Sequence, residues 1–172
     1  NDPLSPLENR AIRGLYAPGS IFKLVMAMGG LDFGYVSPGT SVYCSGSMEI
    51  YGTPRHCWFE PGHGAMNLVD AIKNSCNIYF YQLGRRMSID LIGVAARRLG
   101  LGRATGLDLA GEKEGLVPDT EWKSKTLKEP WYPGETISVA IGQGQLQVTP
   151  LQVAILTAAI ATRGMRPRPH LL

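Results

Sequence analysis

Ser20-Ile21-Phe22-Lys23 sets a hydroxyl and an amine three residues apart. On a helix, that spacing puts both side chains on one face. A serine hydroxyl is a weak nucleophile near neutral pH and needs a base within hydrogen-bond reach. A lysine serves as that base only when its ammonium is disfavoured, as burial against Phe22 and Leu24 would do. The rigid turn Tyr16-Ala17-Pro18-Gly19 presents Ser20 at a helix start, whose free N–H groups point to where an oxyanion would form. A second set, Ser75-Cys76-Asn77, lies between two apolar helical stretches. Its serine can relay a proton between Lys23 and a leaving group. Its asparagine can orient Lys23 and a substrate carbonyl. Each set alone is a common helix-boundary pattern. Together they point to a serine nucleophile with Lys23 as its base.

These side chains need helices to hold them. Residues 1–19, with Pro3, Pro6, Gly14, Pro18 and Gly19, read as loop with one short helical turn over Leu7–Arg13. Ser20 opens a buried helix that Gly29-Gly30 weakens and Ser37-Pro38-Gly39 stops. Residues 40–66 read as irregular, with one short hairpin around Ser47–Gly52. Asn67 caps a helix over Leu68–Ile72, a second runs Ile78–Met87, and Ser88 caps a third that ends at Gly100. Residues 101–148 read as mostly loop with a short helix at Asp119–Thr126. Thr149-Pro150 opens the last helix, with Leu151, Ala154, Ile155, Ala158 and Ala159 as its apolar stripe.

Composition narrows the function classes. The 172 residues carry 17 Lys+Arg and 14 Asp+Glu, a net charge of +3, with the basic residues scattered. That argues against a nucleic-acid partner. No run reaches the roughly 18 apolar residues of a membrane span. Gly142-Gln143-Gly144 lacks the strand and lysine of a phosphate loop. Asp108, Glu112, Glu114 and Asp119 read as surface groups. Trp58, Trp122 and Trp131 read as packing anchors, with Trp131-Tyr132 also able to border the cleft. The opening Asn1-Asp2-Pro3 and the lack of a closing element predict a piece of a longer protein.

The chain resembles the transpeptidase domain of class B penicillin-binding proteins of the elongation type. The resemblance rests on NDPLSPLENRA (1–11), GLYAPGSIFK (14–23), GHGAMNLVDAIKNSCNIYFYQLG (62–84), TGLDLAGEKEGLVP (105–118) and WYPGETISVAIGQGQLQVTPLQ (131–152). It implies acyl transfer. Ser20 would attack the D-Ala-D-Ala bond of a peptidoglycan stem peptide, with Lys23 as general base and Ser75 and Asn77 in the cleft. An amine from a second stem would then take the acyl group, and β-lactams would trap the same serine. No cofactor is implied for catalysis. The family also implies the periplasmic face of the bacterial inner membrane, an anchor outside these residues and a membrane glycosyltransferase partner.

The family's third motif, K-[ST]-G, is missing. Lys125-Thr126-Leu127 comes near it, but a leucine stands for the glycine and the context is helical. The fold class expected is therefore mainly α. It is the helical part of the α+β penicillin-binding/serine β-lactamase-like fold, with most of the central sheet absent. Residues 1–172 form a partial domain, expected to acylate slowly or not at all by itself. Two other readings keep the fold without the reaction or change its outcome: a non-catalytic module, and a β-lactam sensor or β-lactamase relative.

Cys44, Cys57 and Cys76 fall close together with His63 among them, spaced C-x12-C-x5-H-x12-C. Three thiols and one imidazole make a complete Cys3His set for a structural zinc. Such a site would staple the irregular loop to the Ser75-Cys76-Asn77 turn. A Cys44–Cys57 disulfide suits the extracytoplasmic setting that the resemblance implies. Three free thiols are the third reading, and His56 can replace His63 as a ligand.

Overall fold

The structure is a computed structural model that describes residues 8–171. Pro3, Pro6 and Leu7 of the expected opening segment lie outside the described residues. The first helix is α1 (Arg10–Arg13), and a 3-10 turn over Gly19–Ile21 leads directly into α2 (Phe22–Asp32). Four short strands follow: β1 (Val42–Cys44), β2 (Ser47–Ile50), β3 (Thr53–His56) and β4 (Gly64–Met66). Then come α3 (Leu68–Lys73), α4 (Asn77–Arg86), α5 (Ile89–Arg98), α6 (Thr120–Leu127), α7 (Pro133–Val139) and α8 (Pro150–Ala161). No helix among the described residues is long and apolar enough to cross a membrane.

Helix α2 is the central element and packs on α3, α4 and α5. Phe22, Val25, Met26 and Ala27 are buried along it. The helix runs through Gly29 and Gly30, where the sequence predicts weakening. Close packing explains the difference. A Cβ on Gly29 would lie 2.8 Å from Ala95 Cβ, and one on Gly30 would lie 2.9 Å from Val36 Cγ2. The roughly 1 kcal/mol that a glycine costs in a helix is offset by the close approach of α5 at Gly29 and of Val36 and Leu83 at Gly30. Helix α5 buries Ile89, Ile92, Ala95 and Ala96 on that side, and its Ser88 cap accepts from Leu91 N at 3.2 Å. Helix α4 buries Ile78, Tyr79, Phe80, Tyr81 and Leu83, so it is apolar nearly all round its first two turns.

Segment 40–66 corrects the expected fold class. Where a mainly α piece is expected, the described residues are 43% helix and 11% strand. Its strands form two antiparallel two-stranded sheets, β1–β4 and β2–β3. The β2–β3 hairpin pairs Ser47 with His56 and Ile50 with Thr53. Its two turn residues, Tyr51 and Gly52, both have positive φ (51° and 72°), the geometry that matches strand twist. The β1–β4 ladder pairs Val42 with Met66 and Cys44 with Gly64. That pairing is remote in sequence and leaves no local signal.

The loop expected over 101–148 also holds α7. Its signs are Pro133 at the first helical position and Glu135 in the first turn. Helix α6 begins where predicted, because the Asp119 carboxylate accepts from Trp122 N at 2.7 Å. Lys125-Thr126-Leu127 is its last turn and not a strand. Helix α8 starts at the Thr149-Pro150 signal with a Thr149–Gln152 capping box. Its buried face is Gln152, Ile155, Leu156 and Ala159, rotated from the expected stripe. Gln152 turns inward because Nε2 donates to Arg103 O and Glu114 O, both at 2.8 Å.

Candidate active site

The predicted residues meet at one place. Lys23 lies in the first turn of α2 and is buried to 2% exposure, whereas Ser20, one turn earlier, is exposed. Lys23 Nζ donates to Ser75 O at 2.8 Å, Ser75 Oγ at 2.9 Å and Asn77 Oδ1 at 2.6 Å. The Ser75 hydroxyl in turn donates to Ser20 Oγ at 2.9 Å. A line of contacts thus runs Ser20–Ser75–Lys23–Asn77. The oxygens around Lys23 in these contacts are neutral. Burial pushes its ammonium down from 10.5 to about 8, while charge on Cys57 and Cys76 acts the other way.

Ser75 owes its place to the way α3 ends. Ser75 N donates to Ile72 O at 3.1 Å and Cys76 N donates to Ala71 O at 2.9 Å. This is a Schellman ending, in which the residue past the cap adopts the left-handed conformation. Glycine usually takes that position, but here Ser75 does, with φ 50°. The strain is roughly 1–2 kcal/mol for a residue with a Cβ. It turns the hydroxyl toward Ser20 and Lys23. Asn77, the first residue of α4, is fixed at both ends of its amide. Nδ2 donates to His56 O at 3.2 Å, which leaves Oδ1 for Lys23.

A cavity of about 440 Å³ opens over Ser20, lined by Gly19, Ser20, Trp58, Ser75, Asn77, Ile141 and Gln143. Sequence reasoning missed the Ile141–Gln143 contribution. Gly19 N donates to Gly142 O at 2.9 Å. The two glycines pack backbone to backbone, with φ +57° at Gly19 and +74° at Gly142, and a Cβ on Gly142 would collide with the Gly19 carbonyl. The IGQG glycines therefore serve a close backbone approach. Trp58 is not a packing anchor. It is 63% exposed on the cavity rim, and its Nε1 donates to Asn74 O at 2.9 Å. Trp131 does not line this cavity; its Nε1 donates to Thr136 Oγ1 at 2.8 Å beside α7.

The cysteine set converges directly behind Asn77. Cys44 ends β1, Cys57 follows β3, His63 precedes β4 and Cys76 caps α4. Their ligand atoms all lie within 4.8 Å of one another, and all three cysteines are free thiols. His63 Nδ1 is 3.5 Å from both Cys44 Sγ and Cys57 Sγ. A tetrahedral zinc with Zn–S of about 2.3 Å and Zn–N of about 2.0–2.1 Å sets S···N edges near 3.6 Å, so the donor set fits that ion. His63 Nε2 is buried without a hydrogen-bond partner, and Nδ1 is the nitrogen that faces the sulfurs. His56 contributes its backbone carbonyl to Asn77. Burial raises the Cys57 thiol, but backbone N–H groups of Phe59, Asn77 and Ile78 outweigh it and lower its pKa. Burial pushes the Cys76 thiol up to about 12.

Comparison with known proteins gives a consistent result. The penicillin-binding protein transpeptidase domain matches residues 1–172. Peptidoglycan D,D-transpeptidase MrdA of Acinetobacter baumannii is 46% identical over 169 residues, 97% of this chain and 25% of its own length. Penicillin-binding protein 2 of Helicobacter pylori, solved in a complex with MreC, superposes with a TM-score of 0.95 at 38% identity. That match covers 99% of this chain and 32% of the other. Penicillin-binding protein 2 of Pseudomonas aeruginosa, solved with WCK 5153, superposes with a TM-score of 0.93 at 43% identity. It covers 96% of this chain and 37% of the other. The chain spans about a quarter of the length of the curated relatives it matches. On its sequence, its fold and its serine–lysine cleft, this chain belongs to the penicillin-binding protein transpeptidase family.

Proposed function

We propose that this chain carries the nucleophile of a peptidoglycan D,D-transpeptidase that acts on D-Ala-D-Ala stem peptides and is acylated by β-lactams. The observation that carries the reading is the line of contacts Ser20–Ser75–Lys23–Asn77. With Lys23 neutral, the first two contacts reverse polarity: the Ser20 hydroxyl donates to Ser75 Oγ, and Ser75 donates to Nζ. Ser20 Oγ attacks the carbonyl carbon between the two D-alanines, and its proton passes through Ser75 to Lys23. The C–N bond then breaks, and the leaving D-alanine amine takes a proton back from the Lys23 ammonium. A second stem's amine attacks the acyl-enzyme carbon and gives up its proton to Lys23. Ser20 Oγ leaves and is reprotonated. Asn77 keeps Nζ in line throughout.

Residues 1–172 are read as part of the transpeptidase domain, with the K-[ST]-G element outside them, since Lys125-Thr126-Leu127 is helical. Cys44, Cys57, His63 and Cys76 are read as ligands of a structural zinc. Bound there, a zinc would staple β1 and the β3–β4 connection to the α4 N-terminus and would supply no reacting group, since all four positions are filled by protein. We read the chain as working at the periplasmic face of the inner membrane, as the family resemblance implies; the complex of the Helicobacter pylori relative with MreC and a relative's peptidoglycan synthase complex support MreC-like and glycosyltransferase partners.

The test uses protein from the complete reading frame that contains this chain. A pentapeptide stem ending in D-Ala-D-Ala is expected to release D-alanine and join an added amine acceptor. Ser20→Ala is expected to lose both products by at least a thousandfold. Product formation by Ser20→Ala at the wild-type rate would remove Ser20 from the reaction.

A further inference from the structure

Two lysines are buried among the described residues, and the proposed mechanism uses one of them. The other, Lys123 on α6, is 2% exposed. Its Nζ lies 2.8 and 2.6 Å from the two carboxylate oxygens of Glu135 and 3.6 Å from Glu129. It also sits 4.4 Å from the Tyr132 ring centre and 5.8 Å from that of Trp131. Glu135 Oε2 additionally accepts from Tyr132 N at 2.9 Å. The start of α7 is thus gripped by a bidentate ion pair, a backbone hydrogen bond and two rings.

The other end of α7 reaches the nucleophile. Thr136, Ile137 and Val139 are buried on this helix, which packs on α4. Ser138 O accepts from Ile141 N and Gln143 N, and Val139 O accepts from Gly142 N. Gly142 O then accepts from Gly19 N, the residue before Ser20. A seven-residue helix, about 10 Å long, joins the buried ion pair to the turn that supports the serine. Burying an ion pair is a poor route to stability, because apolar replacements of both partners often leave stability unchanged. In some proteins such a pair is kept for the single register it imposes on the packed elements.

We infer that Lys123 is a positioning residue for acyl transfer: its ion pair with Glu135 sets α7, and α7 holds the Gly142–Gln143 turn against Gly19 and Ser20. The inference rests on the proposed acylation of Ser20. The decisive variant is Lys123→Met/Glu135→Leu, made in protein from the complete reading frame. Its melting temperature is expected to stay within a few degrees of wild type. The maximum rate of acylation by a fluorescent penicillin is expected to fall at least tenfold, while the half-saturating concentration moves less than threefold. Amide hydrogen exchange in peptide 14–23 is expected to speed up with no change in global stability. If the double variant does not fold, Glu135→Gln is measured by the same three readouts. A folded variant that acylates within twofold of wild type, or a rate loss that merely follows the melting temperature, overturns the inference. A wild-type protein that is never acylated at Ser20 fails at the underlying reading instead.

Discussion

At the residue scale, the site turns on two side chains held where ordinary preference would not put them. Lys23 is buried with neutral oxygen partners, so its neutral form is within reach near physiological pH. The sign is direct: burial lowers the lysine pKa to about 8, and a base must be deprotonated to act. Acylation should therefore rise with pH and level off above about 8. A rise that continued to about 10.5 would mean that Lys23 is an ordinary lysine or not the base. Ser75 occupies a glycine position at the end of α3. Ser75→Gly relieves the left-handed strain but deletes the hydroxyl between Lys23 and Ser20. The melting temperature should hold or rise slightly, and acylation should fall about a hundredfold or more. A stability loss with full acylation would contradict this assignment. Both motifs were legible in the sequence because their chemistry dictates residue type and local spacing. The strain at Ser75 was not, because φ depends on how α3 ends against α4.

At the scale of elements, the cleft is a junction of the α2 start, the α3–α4 turn and the loop after α7. Capping residues revealed the starts of α3, α5 and α8: Asn67, Ser88 and Thr149 each accept a backbone N–H from the first turn of its helix, and Asp119 does the same for α6. Helix α7 was hidden because its alternation of apolar and polar residues is short and its cap is a tyrosine. The role of Gly142 was hidden for the same kind of reason, since a backbone approach to Gly19 leaves no periodicity. Gly142→Ala should expose it. The new Cβ meets the Gly19 carbonyl, and a non-glycine residue at φ +74° is strained. A loss of about 1–3 kcal/mol of stability is expected, with slower acylation because Ser20 follows Gly19. Unchanged denaturation and acylation would show that the turn yields freely.

At the scale of the whole molecule, the small sheets and the start of α4 bring Cys44, Cys57, His63 and Cys76 together behind the candidate active site. The sequence exposed this set by residue type but left zinc, a disulfide and free thiols open. The fold brings the four donor atoms within 4.8 Å of one another, and the proposed zinc rests on that convergence. The purified protein is expected to carry one zinc per chain. Removing it with a strong chelator should lower the melting temperature by on the order of 10 °C. No metal and no shift would dismiss the zinc reading. The proposed reaction turns on Ser20, backed by Ser75 and Lys23, as the acylated nucleophile. Trypsin cuts after Arg13 and Lys23, so the protein is treated with penicillin and the adduct mapped by mass spectrometry. One adduct is expected, on Ser20 of peptide 14–23, absent from Ser20→Ala. An adduct on any other peptide, or one that persists in Ser20→Ala, would contradict it.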